Sequence, residues 1–328
     1  MNTPTRSRAP LAPQRSLLAV PATSPRFLEK AAQSAADAIF IDLEDAVIPQ
    51  LKLEARARAI DALNRLDWGR RIVSVRVNAL DTPWGCREIL DLAESCPRLD
   101  RILLPKCDSA DDVHTVEVLL RAAERAVGRA RPVQIEALIE SARGVAQVES
   151  IAGASERLVA MVFGGGDYQL DLGSFQRTVG APAPDYAVLT DADTGGRRER
   201  HWNDLWHFAM ARIANACRAF GLAPIDGPFT AIGDADGLNA AAQRAAALGF
   251  EGKMAIHPSQ IERINDVFSP SARQLEWARD VLAAMAEAAA QGRGAVKDSR
   301  GEMIDLMHLK LAAAINERAE RLRSGAAR

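Results

Sequence analysis

The sequence predicts an α/β fold, a (β/α)8 TIM barrel with a C-terminal helical lid extension. Eight short apolar runs typical of buried strands recur along the chain, and amphipathic segments with helical spacing separate them. Eight strand-then-helix repeats over about 250 residues match this barrel, whose active site lies at the C-terminal ends of the strands. A doubly wound open sheet is the alternative, but it rarely contains eight such alternations.

The predicted strands are bounded by glycine, proline and polar residues, as strand runs usually are. In chain order they are LLAVP (17–21), AIFIDLED (38–45), IVSVRVN (72–78), RILLPK (101–106), VQIEALIES (133–141), LVAMVFG (158–164), LAPIDG (222–227) and KMAIHP (253–258). We therefore predict a disordered lead-in over residues 1–14, a barrel domain over 15–290 and a lid or oligomerisation extension over 291–328.

Composition narrows the class of protein. The chain has 328 residues, 48% of them hydrophobic, and 41 basic against 43 acidic side chains give a net charge of −2. Such a balance favours neither nucleic acid nor a membrane surface as a partner. The four cysteines show no CxxC spacing and no metal-type cluster with the five histidines. Reduced thiols and a cytoplasmic location are therefore predicted.

The stretch from Val133 to Tyr168 reads as a β-α-β unit in which each strand run is followed by a carboxylate, Glu140 and then Asp167. Parallel strands bring their C-terminal ends to the same edge, so both carboxylates should meet there. Two carboxylates with room for water and substrate oxygens suit Mg²⁺. The alternative is that Glu140 caps the next helix and Asp167 is an ordinary loop residue.

Polar residues follow every strand from the second to the eighth. They are Asp42, Glu44 and Asp45, then Arg76 and Asn78, then Lys106, Glu140, Asp167, Asp226 and His257. A salt bridge or a helix cap explains any one of them. Together they predict a polar active-site mouth, and Glu44 and Asp45 are expected to hold metal-bound waters or to orient Arg76.

Residues 174–200 interrupt the repeat with a segment rich in glycine, proline, aspartate and arginine, and we expect it to flank the mouth. HWNDLWHFAMARIANACRAFG (201–221) then predicts a helix that stops at Gly221. His201 and His207 are interpreted as packing residues. Two further amphipathic helices, at 271–291 and 304–325, are joined by a link containing Gly292, Gly294 and Gly301.

Several segments together resemble the citrate lyase β-subunit-like branch of the HpcH/HpaI aldolase superfamily. They are RSLLAVPATSPRFLEKAAQSAADAIFIDLEDAV, VSVRVNALDTPW, ILLPK, LIESARGV, VFGGGDY and AIHPSQIERINDVFSPS, in this order. The resemblance covers nearly the whole chain from Arg15 onward. HWNDLWHF, GLAPIDGPF and GAVKDSRGEMID are most similar to the malyl-CoA and β-methylmalyl-CoA lyases of that branch.

The resemblance implies Mg²⁺ held by Glu140 and Asp167, a substrate held by Arg76, and an acyl-CoA reaching the barrel mouth. It also implies a homo-oligomer, a trimer or a hexamer, in which the C-terminal segment covers a neighbour's site and Asp305 exchanges a proton with the substrate. The implied substrate and CoA contacts are Arg76, Lys30, Arg26, Ile256 and His257. In the first loop, Ala19 and Ala22 replace the aromatic residue and the glycine common in the family.

The predicted reaction is the reversible Claisen-type cleavage of a 3-hydroxyacyl-CoA, such as L-malyl-CoA or β-methylmalyl-CoA, to acetyl- or propionyl-CoA and glyoxylate. Asp305, Arg76, Glu44 and Asp45 are the expected catalytic residues, and Lys106 is interpreted as an ion-pairing partner because no Schiff base is required. The alternatives are a (3S)-malyl-CoA thioesterase, a citrate lyase β-like lyase of citryl- or citramalyl-CoA, and a non-catalytic scaffold barrel.

Overall fold

The computed structural model describes residues 12–174, 176–183, 185–298 and 300–324. It divides the chain into two compact units, and the boundary falls between Ile264 and Asn265. Residues 1–11 of the predicted lead-in lie outside the described part of the chain. No described helix has both the length and the apolar content needed to cross a membrane.

The first unit contains a closed barrel of eight parallel strands, which confirms the predicted fold class. The strands are β1 (Ser16–Pro21), β2 (Ala38–Asp42), β3 (Ile72–Arg76), β4 (Arg101–Leu104), β5 (Gln134–Ile139), β6 (Leu158–Phe163), β9 (Ala223–Asp226) and β10 (Gly252–Ala255). Each strand pairs with the next in this order, and β10 closes the barrel on β1. All eight lie where the apolar runs predicted them, although most end before the polar residues of each run.

The barrel interior is filled by apolar side chains from alternate positions of the strands. Phe40, Leu138, Val162 and Ile225 belong to this buried cluster and are almost inaccessible to water. Alternation follows from the pleat of a strand, which sends successive side chains to opposite faces. The other face of each strand is covered by helices, so the strands read as continuous apolar runs.

Helices alternate with the strands and continue into the second unit. They are α1 (Pro25–Ala32), α2 (Lys52–Arg65), α3 (Gly85–Ser95), α4 (Ala110–Val127), α5 (Ala142–Ala146), α6 (Val148–Ala152), α7 (Gly165–Asp171), α8 (His207–Phe220), α9 (Ala235–Ala247), α10 (Ile261–Val267), α11 (Ala272–Ala290) and α12 (Leu306–Ser324). Short 3-10 turns lie at Pro49–Leu51 and Pro258–Gln260. Gly221 ends α8 with φ +69°, as its predicted role as a helix stop requires.

The N-terminal end of the barrel is closed by a buried polar cluster that the sequence interpretation missed. Arg101 Nη1 donates to Glu136 Oε1 at 2.7 Å and to Gln14 Oε1 at 2.6 Å. Gln14 is only 3% exposed and also donates to Glu136. Residue 14 is therefore packed against the barrel, and the predicted limit of the disordered lead-in is wrong by at least this residue.

The insertion between β6 and α8 contains a two-stranded antiparallel hairpin, β7 (Ala187–Leu189) and β8 (Arg200–Trp202). Helix α8 therefore starts at His207, later than the predicted helix. His201 and His207 are both exposed, so the prediction that they pack is wrong. Trp206 is the packing residue of this segment, because its ring meets Phe163 edge to face with centroids 6.0 Å apart.

The second unit consists of α11 and α12, which pack on each other, and a hairpin between them. Ala278, Val281, Met285 and Ala312 form its small buried core. The glycine-containing link forms two paired strands, β11 (Val296–Lys297) and β12 (Met303–Ile304). Helix α11 belongs to this unit, so the observed boundary lies earlier than the predicted limit at residue 290.

Candidate active site

A cleft of about 880 Å³ opens at the C-terminal ends of the barrel strands. Its volume is in the range that holds a small organic ligand. The charged residues that line it include Asp45, Lys106, Glu140, Arg143 and Asp167. The sequence interpretation placed four of these five at the mouth.

Glu140 lies directly after β5 and is the most strongly buried acid in the cleft. Only 4% of the residue is exposed, and its Oε1 accepts a hydrogen bond of 2.7 Å from the backbone N–H of Lys106. Burial, and then the negative charges of Glu44 and Asp167, raise the pKa of Glu140 to about 8. Such a shift marks a buried carboxyl group whose desolvation outweighs the nearby positive charge of Arg76.

The end of β6 is shaped to accept Glu140. A Cβ atom on Gly164 would lie 2.3 Å from Glu140 Cβ and 2.7 Å from its Oε2, so only glycine fits here. The backbone N–H of Gly164 also donates to Ile139 O at 2.9 Å, which ties the two strand ends together. Asp167 follows in the first turn of α7 with a side chain that is 41% exposed. The two predicted metal ligands therefore line one cleft.

Arg76 ends β3 and is held by Asp42 at the end of the neighbouring strand β2. Nε and Nη2 of Arg76 donate to the two Asp42 carboxylate oxygens, at 2.8 and 2.7 Å. Burial alone would raise the pKa of Asp42, but the hydrogen bonds and charge of Arg76 and two backbone N–H groups outweigh it and lower the pKa. The guanidinium also lies over the Phe40 ring, 5.6 Å from its centroid.

Glu44 and Asp45 follow β2 and approach the remaining nitrogen of Arg76. Nη1 lies 3.1 Å from Glu44 Oε2 and 3.4 Å from Asp45 Oδ2. Glu44 is buried. Its Oε2 lies close to Arg76 Nη1, but the geometry of this ion pair is not that of a hydrogen bond. Asp45 is 58% exposed. Both residues are thus placed to orient Arg76, one of the two roles that the sequence predicted for them.

The loop that carries Glu44 is held by a buried polar cluster that binds its backbone carbonyl groups. Lys52 Nζ donates to the carbonyl oxygens of Leu43 and Glu44, at 2.8 and 2.7 Å. Asn78 donates to the same Leu43 oxygen at 3.0 Å and to Glu88 Oε1 at 2.7 Å. Asn78, expected at the mouth, is instead a buried support for this loop.

The predicted CoA contacts lie on the segments that follow β1 and β10. Arg26 and Lys30 are exposed on α1, which follows β1. Ile256 is half-buried and His257 exposed directly after β10, where His257 Nδ1 lies 2.8 Å from Ser259 Oγ. Because β1 pairs with β10, the two segments leave adjacent strands at the same end of the barrel.

Asp226 is the one predicted mouth residue that lies on the other side of the sheet. Its neighbour Ile225 is in the barrel interior, so the alternation of the strand turns Asp226 outward. There it accepts a hydrogen bond of 2.5 Å from Lys253, which is fully buried. The sequence held a signal for this pair, since a lysine inside the run KMAIHP needs a buried partner.

Asp305 lies in the second unit and is exposed. Its Oδ1 is 2.8 Å from His308 Nδ1 and accepts a hydrogen bond of 3.0 Å from the backbone N–H of Met307. The hydrogen bond with His308 holds the pKa of Asp305 below its usual range. The carboxylate is therefore anionic at neutral pH, which is the state that a base requires, and the lowered pKa makes it a weaker base.

The donor set at the mouth fits a divalent cation with hard-oxygen preferences. The described residues contain no group of three or more His, Cys, Asp or Glu side chains suited to a metal ion. Mg²⁺ does not require such a group, because it keeps several waters and binds through one or two carboxylates. Glu140 and Asp167 supply two carboxylates that line one cleft, and burial together with the charges of Glu44 and Asp167 raises the pKa of Glu140, so a bound cation would stabilise its ionised form.

Comparison with known proteins adds relatives that match over nearly the whole chain. A family profile described as HpcH/HpaI aldolase/citrate lyase matches residues 15–258. An L-malyl-CoA/beta-methylmalyl-CoA lyase of Cereibacter sphaeroides is 45% identical, over 95% of this chain and 96% of the relative. A (3S)-malyl-CoA thioesterase of the same species is 38% identical, over 94% of this chain and 95% of the relative.

A solved structure shows the same likeness in three dimensions. It is the protein CitE from Mycobacterium tuberculosis in complex with magnesium, acetoacetate and coenzyme A. It is 30% identical to this chain, with a TM-score of 0.70, and the match covers 94% of this chain and 98% of that one.

Proposed function

The chain belongs to the HpcH/HpaI aldolase/citrate lyase family, and on that premise we propose that it is a Mg²⁺-dependent carbon–carbon lyase acting on a 3-hydroxyacyl-CoA. The reaction is the reversible cleavage of L-malyl-CoA or β-methylmalyl-CoA to acetyl- or propionyl-CoA and glyoxylate. The observation that carries the proposal is the pair of carboxylates Glu140 and Asp167 in one cleft at the barrel mouth, with Arg76 linked to it through Glu44 and Lys106, in a chain 45% identical to a lyase of this type.

Glu140 and Asp167 are the residues that would hold the cation. When bound, Mg²⁺ would supply a Lewis acid that lowers the pKa of the substrate hydroxyl. Glu140 is fixed for this role by the Lys106 backbone and by the space that Gly164 leaves. Asp167 is more exposed and can adjust its side chain to the ligand.

Arg76 supplies a fixed positive charge for the end of the substrate where negative charge develops. Cleavage breaks the bond between the thioester α-carbon and the hydroxyl carbon, and the hydroxyl carbon becomes the aldehyde carbon of glyoxylate as the hydroxyl proton passes to water. The bonding electrons pass to the α-carbon as a thioester enolate. Because Asp42, Glu44 and Asp45 already hold the guanidinium, Arg76 needs little reorganisation to act on this charge.

The thioester enolate must gain a proton at the α-carbon, and condensation must remove one from the same carbon. We assign this exchange to Asp305, and propose that it acts on the site of a neighbouring subunit in a homo-oligomer, a trimer or a hexamer. Its anionic state suits the base role in condensation, and in cleavage it would pass to the α-carbon a proton taken up from water. Arg26, Lys30, Ile256 and His257 are the proposed contacts of the CoA portion. A cytoplasmic location, indicated by the reduced thiols of the sequence, remains a prediction.

The competing activity is thioester hydrolysis, favoured by the 38% identity to a (3S)-malyl-CoA thioesterase. A coupled assay on malyl-CoA distinguishes the two. A lyase releases glyoxylate and acetyl-CoA, whereas a thioesterase releases free malate and CoA. Absence of both product pairs, together with absence of Mg²⁺ binding, would favour a non-catalytic scaffold.

A further inference from the structure

Lys106 has an unusual backbone at the centre of the candidate site. Its φ is +50°, and no other non-glycine residue in the described ranges has a positive φ. A left-handed conformation is unfavourable for an L-residue with a side chain. Backbone strain of this kind persists where the surrounding structure enforces it, and it occurs most often at functional sites.

The strained conformation points the backbone N–H of Lys106 at Glu140. The hydrogen bond to Oε1 is 2.7 Å long and joins the end of β4 to the end of β5. One lone-pair direction of the buried carboxylate is thus occupied by a fixed donor. This hydrogen bond restricts the rotation of the Glu140 side chain. Burial and neighbouring negative charge raise the pKa of the same carboxyl group.

The side chain of Lys106 reaches two more carboxylates. Its Nζ lies 2.7 Å from Glu44 Oε1 and 3.8 Å from Asp167 Oδ2. One residue therefore contacts acids on three different elements, the β2 loop, the end of β5 and the first turn of α7. Arg76 approaches Glu44 as well, but its other two nitrogens are taken up by Asp42.

We propose that Lys106 is a positioning residue for the metal site, and that its ammonium group is the internal counter-cation which Mg²⁺ displaces from Asp167. The proposal rests on the proposed assignment of Glu140 and Asp167 as metal ligands. Before the metal binds, the ammonium offsets the repulsion among Glu44, Glu140 and Asp167. After Mg²⁺ binds, Asp167 coordinates the metal and the Lys106 ammonium remains paired with Glu44.

This arrangement has an electrostatic consequence that a purely structural lysine would not have. A positive charge next to the metal position weakens Mg²⁺ binding while it stabilises the metal-free fold. Removing the ammonium should therefore move the two quantities in opposite directions. Loss of a residue that only supports the fold would weaken both.

Two variants separate the side chain from the backbone. Lys106→Met removes the ammonium at similar volume, and Lys106→Gly removes it while relieving the positive φ. Lys106→Arg restores the charge. Arg143→Met is the matched control, because Arg143 is an exposed cation that lines the same cleft. The readouts are Mg²⁺ binding by titration calorimetry without substrate, at alkaline pH so that protons do not compete, and thermal unfolding of the metal-free protein.

We expect Lys106→Met and Lys106→Gly to bind Mg²⁺ on the order of tenfold more tightly than wild type, the size that Coulomb's law gives for charges a few ångströms apart near water. Lys106→Arg should match wild type, and Arg143→Met should change little. The metal-free Lys106→Met protein should unfold at a lower temperature, and Mg²⁺ should raise that temperature more than in wild type. Unchanged or weaker Mg²⁺ binding by both uncharged variants overturns the inference.

A measurement on the wild-type protein covers the case in which the variants do not fold. Acetylation of lysine amines, followed by mass spectrometry, should increase severalfold at Lys106 when Mg²⁺ is added, because the amine loses a carboxylate partner. The exposed Lys30 serves as the internal reference. Equal acetylation of Lys106 with and without bound Mg²⁺ overturns the inference about Lys106 and leaves the proposed metal site standing. A wild-type protein that binds no Mg²⁺ overturns the proposed metal site, and the inference with it.

Discussion

Arg76 and Asp42 form a two-point contact in which each carboxylate oxygen accepts one guanidinium N–H, at 2.8 and 2.7 Å. The two residues are partners in the register of β2 and β3, so the barrel itself sets their separation. The contact fixes the plane of the guanidinium and leaves Nη1 toward Glu44 and Asp45. A planar fork of this kind is specific to arginine.

Replacing Arg76 by lysine should therefore remove most of the activity although the charge is kept. Lysine cannot make both contacts with Asp42, so its charge is not fixed in the orientation that the substrate requires. A lost charged hydrogen bond to the substrate costs about 1.5–3 kcal/mol, or roughly ten- to a hundredfold in kcat/KM. Steady-state kinetics on malyl-CoA measures the loss. Arg15→Lys is the control, because Arg15 makes a similar two-point contact with Asp37 just before β1. Near-normal kcat/KM for Arg76→Lys would leave Arg76 only a structural ion pair.

Glu140→Gln and Asp167→Asn should each abolish Mg²⁺-dependent cleavage while the fold stays intact. Each change removes a charged ligand, and the loss should exceed the roughly 10–100-fold that changes in outer-shell partners cost. Activity against Mg²⁺ concentration and circular dichroism are the two measurements. Asp81→Asn removes a negative charge from the wall of the same cleft and should retain activity. Full activity of either ligand variant at limiting Mg²⁺ would refute the site.

The pKa of Glu140, raised to about 8 from an ordinary value of 4.5, predicts a pH dependence of the metal-free protein. Between these values the folded chain keeps a proton that the unfolded chain has released, so stability should fall as pH rises from about 4.5 to about 8. Mg²⁺ binding needs the ionised carboxylate, so affinity should rise with pH and level off above about 8.

Thermal unfolding of wild type and Glu140→Gln across this pH range isolates the contribution of the one carboxyl group. The glutamine variant does not titrate at this position, so the difference between the two curves belongs to Glu140. Parallel curves would show that Glu140 ionises in its ordinary range.

The sequence was sufficient for the barrel and for the acids at its mouth, because buried parallel strands are continuous apolar runs and the polar residues after them stand out. Side-chain direction was harder to predict. Asp226 closes an apolar run as Glu140 does, yet it is the last residue of β9, and the alternation of that strand turns it outward to Lys253. The positive φ of Lys106 could not be predicted either, since it accompanies a hydrogen bond to the side chain of Glu140, which is distant in the sequence.

Asp305 provides the test of assembly. If it completes the site of a neighbouring subunit, then Asp305→Ala and Glu140→Gln subunits, each inactive alone, should regain activity when they are dissociated, mixed and reassembled. Hybrid interfaces would pair an intact metal site with an intact Asp305. Light scattering should show a trimer or a hexamer. Hybrids that assemble but remain inactive would indicate that Asp305 acts within its own chain or only supports the tail.

Mass-spectrometric analysis of the products tests the central claim most directly. The protein is incubated with malyl-CoA, β-methylmalyl-CoA and citramalyl-CoA, each with Mg²⁺ and with Mg²⁺ removed by a chelator. The account predicts glyoxylate with acetyl-CoA from malyl-CoA, and glyoxylate with propionyl-CoA from β-methylmalyl-CoA, in both cases only with Mg²⁺. Release of free malate and CoA without glyoxylate, or cleavage that is unaffected by the chelator, would contradict it.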